Sequence, residues 1–103
     1  MATGRLGNVD IPATTNTTAY TVPVGTYAVA NISLTNRNAT SVNIRVAMAT
    51  TATPTDQEWI EYDTLLAPKE VLERGGIVAN AAERLVAYSD LATVSVSVYG
   101  YEE

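Results

Sequence analysis

Ala28-Val29-Ala30-Asn31-Ile32-Ser33-Leu34-Thr35 decides the fold. Ala28, Ala30, Ile32 and Leu34 occupy every second position, and Asn31, Ser33 and Thr35 alternate with them. Successive side chains of an extended chain point to opposite faces, so this period of two describes a half-buried strand and not the 3.6-residue repeat of a helix. The next run has the same order. Val42, Ile44, Val46 and Met48 point one way, with Ser41, Asn43, Arg45 and Ala47 opposite. Between the two runs lies Asn36-Arg37-Asn38-Ala39-Thr40, a short polar segment whose asparagines tolerate positive φ. The two strands are therefore expected to form an antiparallel hairpin.

The same pattern recurs outward from this pair. Ala19-Tyr20-Thr21-Val22 reads as a strand closed by the turn-forming Pro23-Val24-Gly25. Trp59-Ile60-Glu61-Tyr62-Asp63-Thr64-Leu65-Leu66 is rich in β-favouring residues and is stopped by Pro68. Val71-Leu72-Glu73-Arg74 and Ile77-Val78 flank Gly75-Gly76, which fits two short strands around a turn or one strand with a bulge. Arg84-Leu85-Val86-Ala87-Tyr88 follows, and Val94, Val96 and Val98 alternate with Ser95, Ser97 and Tyr99 in a final strand. Residues 1–16 are less clearly patterned and are expected to form an N-terminal arm or an edge strand, with residues 17–103 as the domain proper. Seven or eight antiparallel strands with turn signals about every 8 to 12 residues predict an all-β, two-sheet sandwich of jelly-roll or immunoglobulin-like topology.

Composition narrows the chemistry. The chain has 103 residues, 47% of them apolar, which is enough for one core and too few for a second domain of ordinary size. It contains no His, no Cys and no Phe. Ser/His and Cys/His nucleophilic pairs are thereby impossible, and neither a phosphate loop nor a GxSxG elbow occurs. No enzymatic activity, cofactor or metal site is expected. Glu58, Glu61 and Asp63 gather around Trp59 and Tyr62, with Glu61 and Asp63 on the Trp59 face of a regular strand. A glycosidase-like acid pair needs a deep cleft, and calcium loops usually place their carboxylates on a Gly-containing turn, so these groups read as a polar face paired with nearby Arg.

Eleven acidic residues against six basic ones give a formal net charge of -5, and the bases are scattered singly. Nucleic acid is not an expected partner, since phosphate binding draws on clustered Lys and Arg. Met1-Ala2-Thr3-Gly4-Arg5-Leu6-Gly7 lacks a basic stretch followed by an apolar one, and no apolar run approaches the roughly 20 residues of a membrane helix. A soluble protein made in the cytoplasm, without a membrane partner, is expected. Its low charge density and its Thr, Ser, Asn and Ala are suited to association, which desolvates such a surface at less cost than a Lys/Glu one.

Three regions are the expected protein contacts: the N-terminal segment with Arg5, Leu6, Val9 and Ile11; the uncharged loop with Thr50, Thr51, Thr53 and Pro54; and the closing Tyr99-Gly100-Tyr101-Glu102-Glu103, as a docking tail or a frayed end. One Trp and six Tyr, with no Phe, is a mixture found at sugar platforms and interface hot spots, and Trp59, Tyr62 and Tyr88 are the candidates for contact with a glycan.

Thr21-Val22-Pro23-Val24-Gly25-Thr26, Asn31-Ile32-Ser33-Leu34-Thr35-Asn36-Arg37, Glu61-Tyr62-Asp63, Leu72-Glu73-Arg74, Gly76-Ile77-Val78 and the closing Tyr99-Gly100-Tyr101-Glu102-Glu103 follow one another in an order that resembles small virion structural proteins of tailed bacteriophages, particularly those infecting cyanobacteria. The resemblance spans most of residues 20–103 and does not cover residues 1–16. It implies a capsid decoration, or cement, protein on the head exterior of the virion. Such a protein is a homo-oligomer, often a trimer, and bridges neighbouring subunits of the major capsid protein. Two rival expectations are a tail, baseplate or fibre module that binds a host glycan, and a free carbohydrate-binding module.

Overall fold

Eight strands follow one another in the computed structural model, which describes residues 3–103: β1 (Thr3–Ile11), β2 (Thr17–Thr21), β3 (Ala28–Asn36), β4 (Val42–Ala49), β5 (Trp59–Leu66), β6 (Val71–Ala79), β7 (Arg84–Ser89) and β8 (Val94–Glu102), with a single 3-10 turn, η1 (Asp56–Glu58), ahead of β5. They form two antiparallel four-stranded sheets, ordered β1-β8-β3-β6 and β2-β7-β4-β5. In β3 the alternation Ala28, Ala30, Ile32, Leu34 faces inward throughout, and the matching residues Val94, Val96 and Val98 of β8 do the same. Ile44, Val46 and Leu85 meet them from the second sheet, so the core is a layer of Val, Ile, Leu and Ala between two pleated faces.

The pairs β1·β8, β2·β7, β3·β6 and β4·β5 are all antiparallel. The chain is thus one long ribbon folded back at the β4–β5 loop and then rolled, so that β8 also pairs with β3 and β7 with β4. This is the jelly-roll order, and it settles the topology between the two that the strand pattern allowed. Of the seven connections only the one from β4 to β5 stays within a sheet.

The expected hairpin between β3 and β4 therefore does not form: the two strands lie in opposite sheets. The reason is Asn36, which acts through its side chain and not through a left-handed backbone. Asn36 is fully buried. Its Nδ2 donates to the carbonyl oxygens of Thr40, Leu66 and Ala67 at 2.9, 3.1 and 3.0 Å, and its Oδ1 accepts from the Asn38 amide at 2.9 Å. One amide thus fastens the β3–β4 crossing to the β5–β6 crossing, and the chain passes from sheet to sheet there instead of turning back.

Other expectations resolve in detail. Residues 3–11 are a strand on the edge of the first sheet, with Ile11 in the core; residues 1 and 2 lie outside the described residues. Val71–Ala79 is one strand whose register against β3 shifts between Ala30 and Ile32, placing Gly75 and Gly76 in the bulge. Residues 99–103 are neither a tail nor frayed. β8 runs through Glu102 between β1 and β3, and the Glu103 backbone exchanges bonds of 2.9 and 2.8 Å with Tyr27. Tyr20 donates its hydroxyl to Glu102 at 2.5 Å inside the sandwich, where burial and the adjacent carboxylate push the phenol well above its usual range.

Candidate functional site

The outer face of the second sheet brings Trp59, Tyr62 and Tyr88 around Arg45. Ala47 and Ala49 of β4 and Val86 of β7 point outward from the core, yet are fully buried, because Trp59 packs over them. Arg45 lies beyond, its guanidinium carbon 4.2 Å from the Tyr62 ring centre, 4.6 Å from that of Tyr88 and 5.9 Å from that of Trp59. Asp63 fixes the same guanidinium at 2.5 Å, and this contact holds it charged. Trp59 and Tyr62 meet edge to face, with ring centres 5.5 Å apart and planes at 69°. The pairing of Arg45 with Tyr88 across the β4–β7 ladder and two register shifts in β5 bring these groups together.

Those shifts correct the expected facing of the carboxylates. In an unbroken strand Trp59, Glu61 and Asp63 would share one side. Instead Ala47 faces Trp59, Val46 faces Glu61, and Ile44 faces Thr64, so β5 carries extra residues on each stretch, with Asp63 at φ 51. Glu61 turns to the open edge of the sandwich, where it accepts from Thr64 Oγ1 at 2.9 Å and pairs with Arg74 of β6 at 2.5 Å, tying one sheet to the other. Glu58 caps η1: its carboxylate accepts from the Thr55 and Thr50 amides, which hold it below the usual carboxylate range. Each of these three acids is thus spent on a structural bond. Among the described residues no group of three potential ligands could hold a metal ion.

Asp56 is different. With Trp59 and Tyr62 it lines an open depression at the end of this face, and none of the three ion pairs among the described residues includes it. Arg84, whose buried Nε has no hydrogen-bond partner, is set opposite Ala49 and does not line the depression. The loop residues Thr50, Thr51 and Thr53 are exposed and Pro54 half-buried beside it, with Thr50 bonded to Glu58.

The opposite side of the molecule has another character. On the outer face of the first sheet, Tyr101, Tyr99, Ser97 and Ser95 of β8 stand against Val29, Asn31, Ser33 and Thr35 of β3. These two central strands present no charge. Val78 and Val71 extend the face on β6, at 58% and 46% exposure, and Tyr99 spans β3 to donate to Glu73 at 3.2 Å. Arg5 faces Tyr99 and Thr3 faces Tyr101 from β1.

The residues singled out from sequence thus divide. Arg5, Tyr99 and Tyr101 come together on the first outer face, while Trp59, Tyr62 and Tyr88 come together on the second, next to the 50–55 loop. Leu6 and Val9 pack against the core and Ile11 lies within it; Glu102 is bonded inside, and Glu103 is bonded to the Tyr27 hydroxyl at 2.5 Å. Sequence reasoning did not single out Arg45 or Asp56. The outward position of Arg45 between two strand-borne aromatics was visible in the period of two, but which aromatics flank it depends on the bulges. No protein-family model, curated protein or solved structure matches the chain.

Arg45 holds this face together more than it charges it. Arg45→Met is expected to lower stability by about 1 kcal/mol, the worth of a partly exposed cation–π cluster. Thermal unfolding followed by the fluorescence of Trp59, the one tryptophan of the chain, checks this and should also report a shifted native emission.

Proposed function

We propose that this chain is a non-enzymatic structural subunit of a phage virion, a capsid decoration protein that docks on the head exterior and bridges neighbouring copies of the major capsid protein. The observation that carries the reading is the uncharged centre of the outer face of the first sheet, where Tyr99 and Tyr101 stand among Val29, Ser and Thr on two strands that are paired on both sides, with Arg5, Asp10 and Glu73 on the flanking strands. Interface centres are depleted of charge and enriched in tyrosine, and residues fixed in the interior of a sheet lose little further freedom on docking. The resemblance of the phrases around residues 21–37, 61–78 and 99–103 to virion structural proteins supports the same reading. A seam-bridging subunit needs two adhesive sides, and the aromatic face of the second sheet supplies the other. Self-association into a trimer would give the subunit several attachment points on a shell of repeated sites.

A tail or fibre module that binds a host glycan, or a free carbohydrate-binding module, is the second reading, favoured by the open depression at Trp59 and Tyr62. It ranks lower because the Arg45 guanidinium already lies over the Tyr62 and Tyr88 rings and Trp59 stands edge to face with Tyr62, so the three rings form no shared plane.

Quantitative mass spectrometry of purified virions, with immunogold labelling, separates the readings. Decoration predicts a copy number comparable to that of the major capsid protein, label over the head, and faster heat inactivation of virions lacking the protein. A few copies confined to the tail would transfer the assignment to the adsorption module. Absence from the virion would overturn both virion roles.

A further inference from the structure

We propose that the depression formed by Asp56, Trp59 and Tyr62 is a seat for one cationic side chain, a lysine or arginine contributed by the docking partner. The inference rests on the docking reading above and names the chemistry of the contact on the second face. Two aromatic rings set at 69° with centres 5.5 Å apart make a notch, not a platform, and the exposed Asp56 lines the same depression. A notch of ring faces and edges with one carboxylate suits a compact cation, because the ring quadrupole and the negative charge act in the same sense.

Among the described residues no ion pair reaches Asp56, although Arg45 already lies over the Tyr62 ring. Arg37 is taken up by Asp10, Arg45 by Asp63 and Arg74 by Glu61, and the Lys69 ammonium donates to the Arg37 carbonyl at 2.7 Å. Asp56 is bound to none of them. Glu58, two residues on, adds a second negative charge to the same turn, since its carboxylate is held ionised by backbone amides and is in none of the ion pairs among the described residues. Arg45, 4.2 Å from the Tyr62 ring centre and 5.9 Å from that of Trp59, takes up part of both rings, so the seat for a further cation is the Asp56 side of the notch, and Asp63 at 2.5 Å offsets part of the Arg45 charge. The chain as a whole carries a net charge of -5, so a basic partner surface is the complementary one.

The probes are N-acetyl-arginine amide and N-acetyl-lysine amide, with N-acetyl-citrulline amide as the neutral match for arginine and a panel of methyl hexosides for carbohydrate. Trp59 fluorescence and the NMR shifts of the Trp59 indole and Asp56 amide report on the notch. The cationic probes should give saturable shifts in the tens of millimolar, a range usual for one exposed charge-assisted contact, and citrulline should give none. Asp56→Asn should weaken the cation about tenfold, and Tyr62→Leu should weaken it as well, in proteins whose circular dichroism is unchanged. Equal responses from wild type and Asp56→Asn, an equal response to citrulline, or no saturation by either cation would overturn the proposal. Saturation by a hexoside alone would overturn it in favour of a carbohydrate site. Virion copy number is independent of all these outcomes: a cation-free notch leaves a head-bound protein standing, and absence from virions leaves a saturable notch standing.

Discussion

Gly100→Ala should cost about 4 kcal/mol of folding stability, a large share of the about 5–15 kcal/mol that holds domains of this size. Gly100 lies in β8 between Gly4 of β1 and Ala30 of β3. A Cβ there would stand 2.1 Å from the Val29 carbonyl oxygen and 2.9 Å from the Ala30 Cα, and both are backbone atoms of a strand that is itself paired on both sides. Neither can swing away as a flexible side chain would. Its φ of 152° adds a backbone cost to the overlap. Overpacking and backbone strain each amount to roughly 1–3 kcal/mol, and here they act together. Gly25→Ala provides the comparison. Gly25 also has a positive φ, 83°, but nothing lies within 4 Å of its added Cβ, so it should lose only about 1 kcal/mol. Urea unfolding of both variants checks the difference; equal losses would mean that the contact of β8 with β3 is not the close one described.

Asn36→Ala is the second large effect, with about 3 kcal/mol expected. The carbonyl oxygens of Thr40 and Leu66 and the Asn38 amide would lose their bond to this side chain at once, while the Ala67 carbonyl would keep the Glu70 N–H at 3.0 Å. Unpaired buried polar groups cost about 1–3 kcal/mol each, less whatever water can recover at the partly buried ends. Asn38→Ala removes only an exposed bond to the Ala92 carbonyl and should cost less than about 1 kcal/mol. The ratio of the two losses, read from denaturant midpoints, measures how far the sheet-to-sheet crossing depends on one side chain.

That residue also marks where the sequence could be read and where it could not. The inward sets Ala28, Ala30, Ile32, Leu34 and Val94, Val96, Val98 follow directly from a period of two, because burial of one face is a local property of a pleated chain. Pairing is not local. Asn36-Arg37-Asn38 has the composition of a hairpin turn, and only the carbonyls of Leu66 and Ala67, some thirty residues away, turn Asn36 into a fastener between two crossings. The aromatic site is a similar case. Trp59, Tyr62 and Tyr88 were recognisable by type, but their convergence on Arg45 depends on register shifts in β5 that no spacing rule announces. Tyr99 and Tyr101 stood out as aromatics beside a glycine, and it is the strand pairing on both sides that makes them part of a flat face instead of a tail.

The position of β8 has a consequence for how the protein is made. Residues 94–102 are an interior strand, flanked by β1 from the start of the chain and by β3. While a nascent chain is still on the ribosome with these residues hidden in the exit tunnel, β1 has no partner in its sheet and the core lacks Val94, Val96 and Val98. The first sheet is therefore completed only after residues 94–102 have emerged, by closing a loop that spans most of the sequence between β1 and β8, the kind of long-range pairing that forms slowly. Until then β1 and β3 are open edges, so crowding on one message exposes neighbouring chains to one another's unpaired strands.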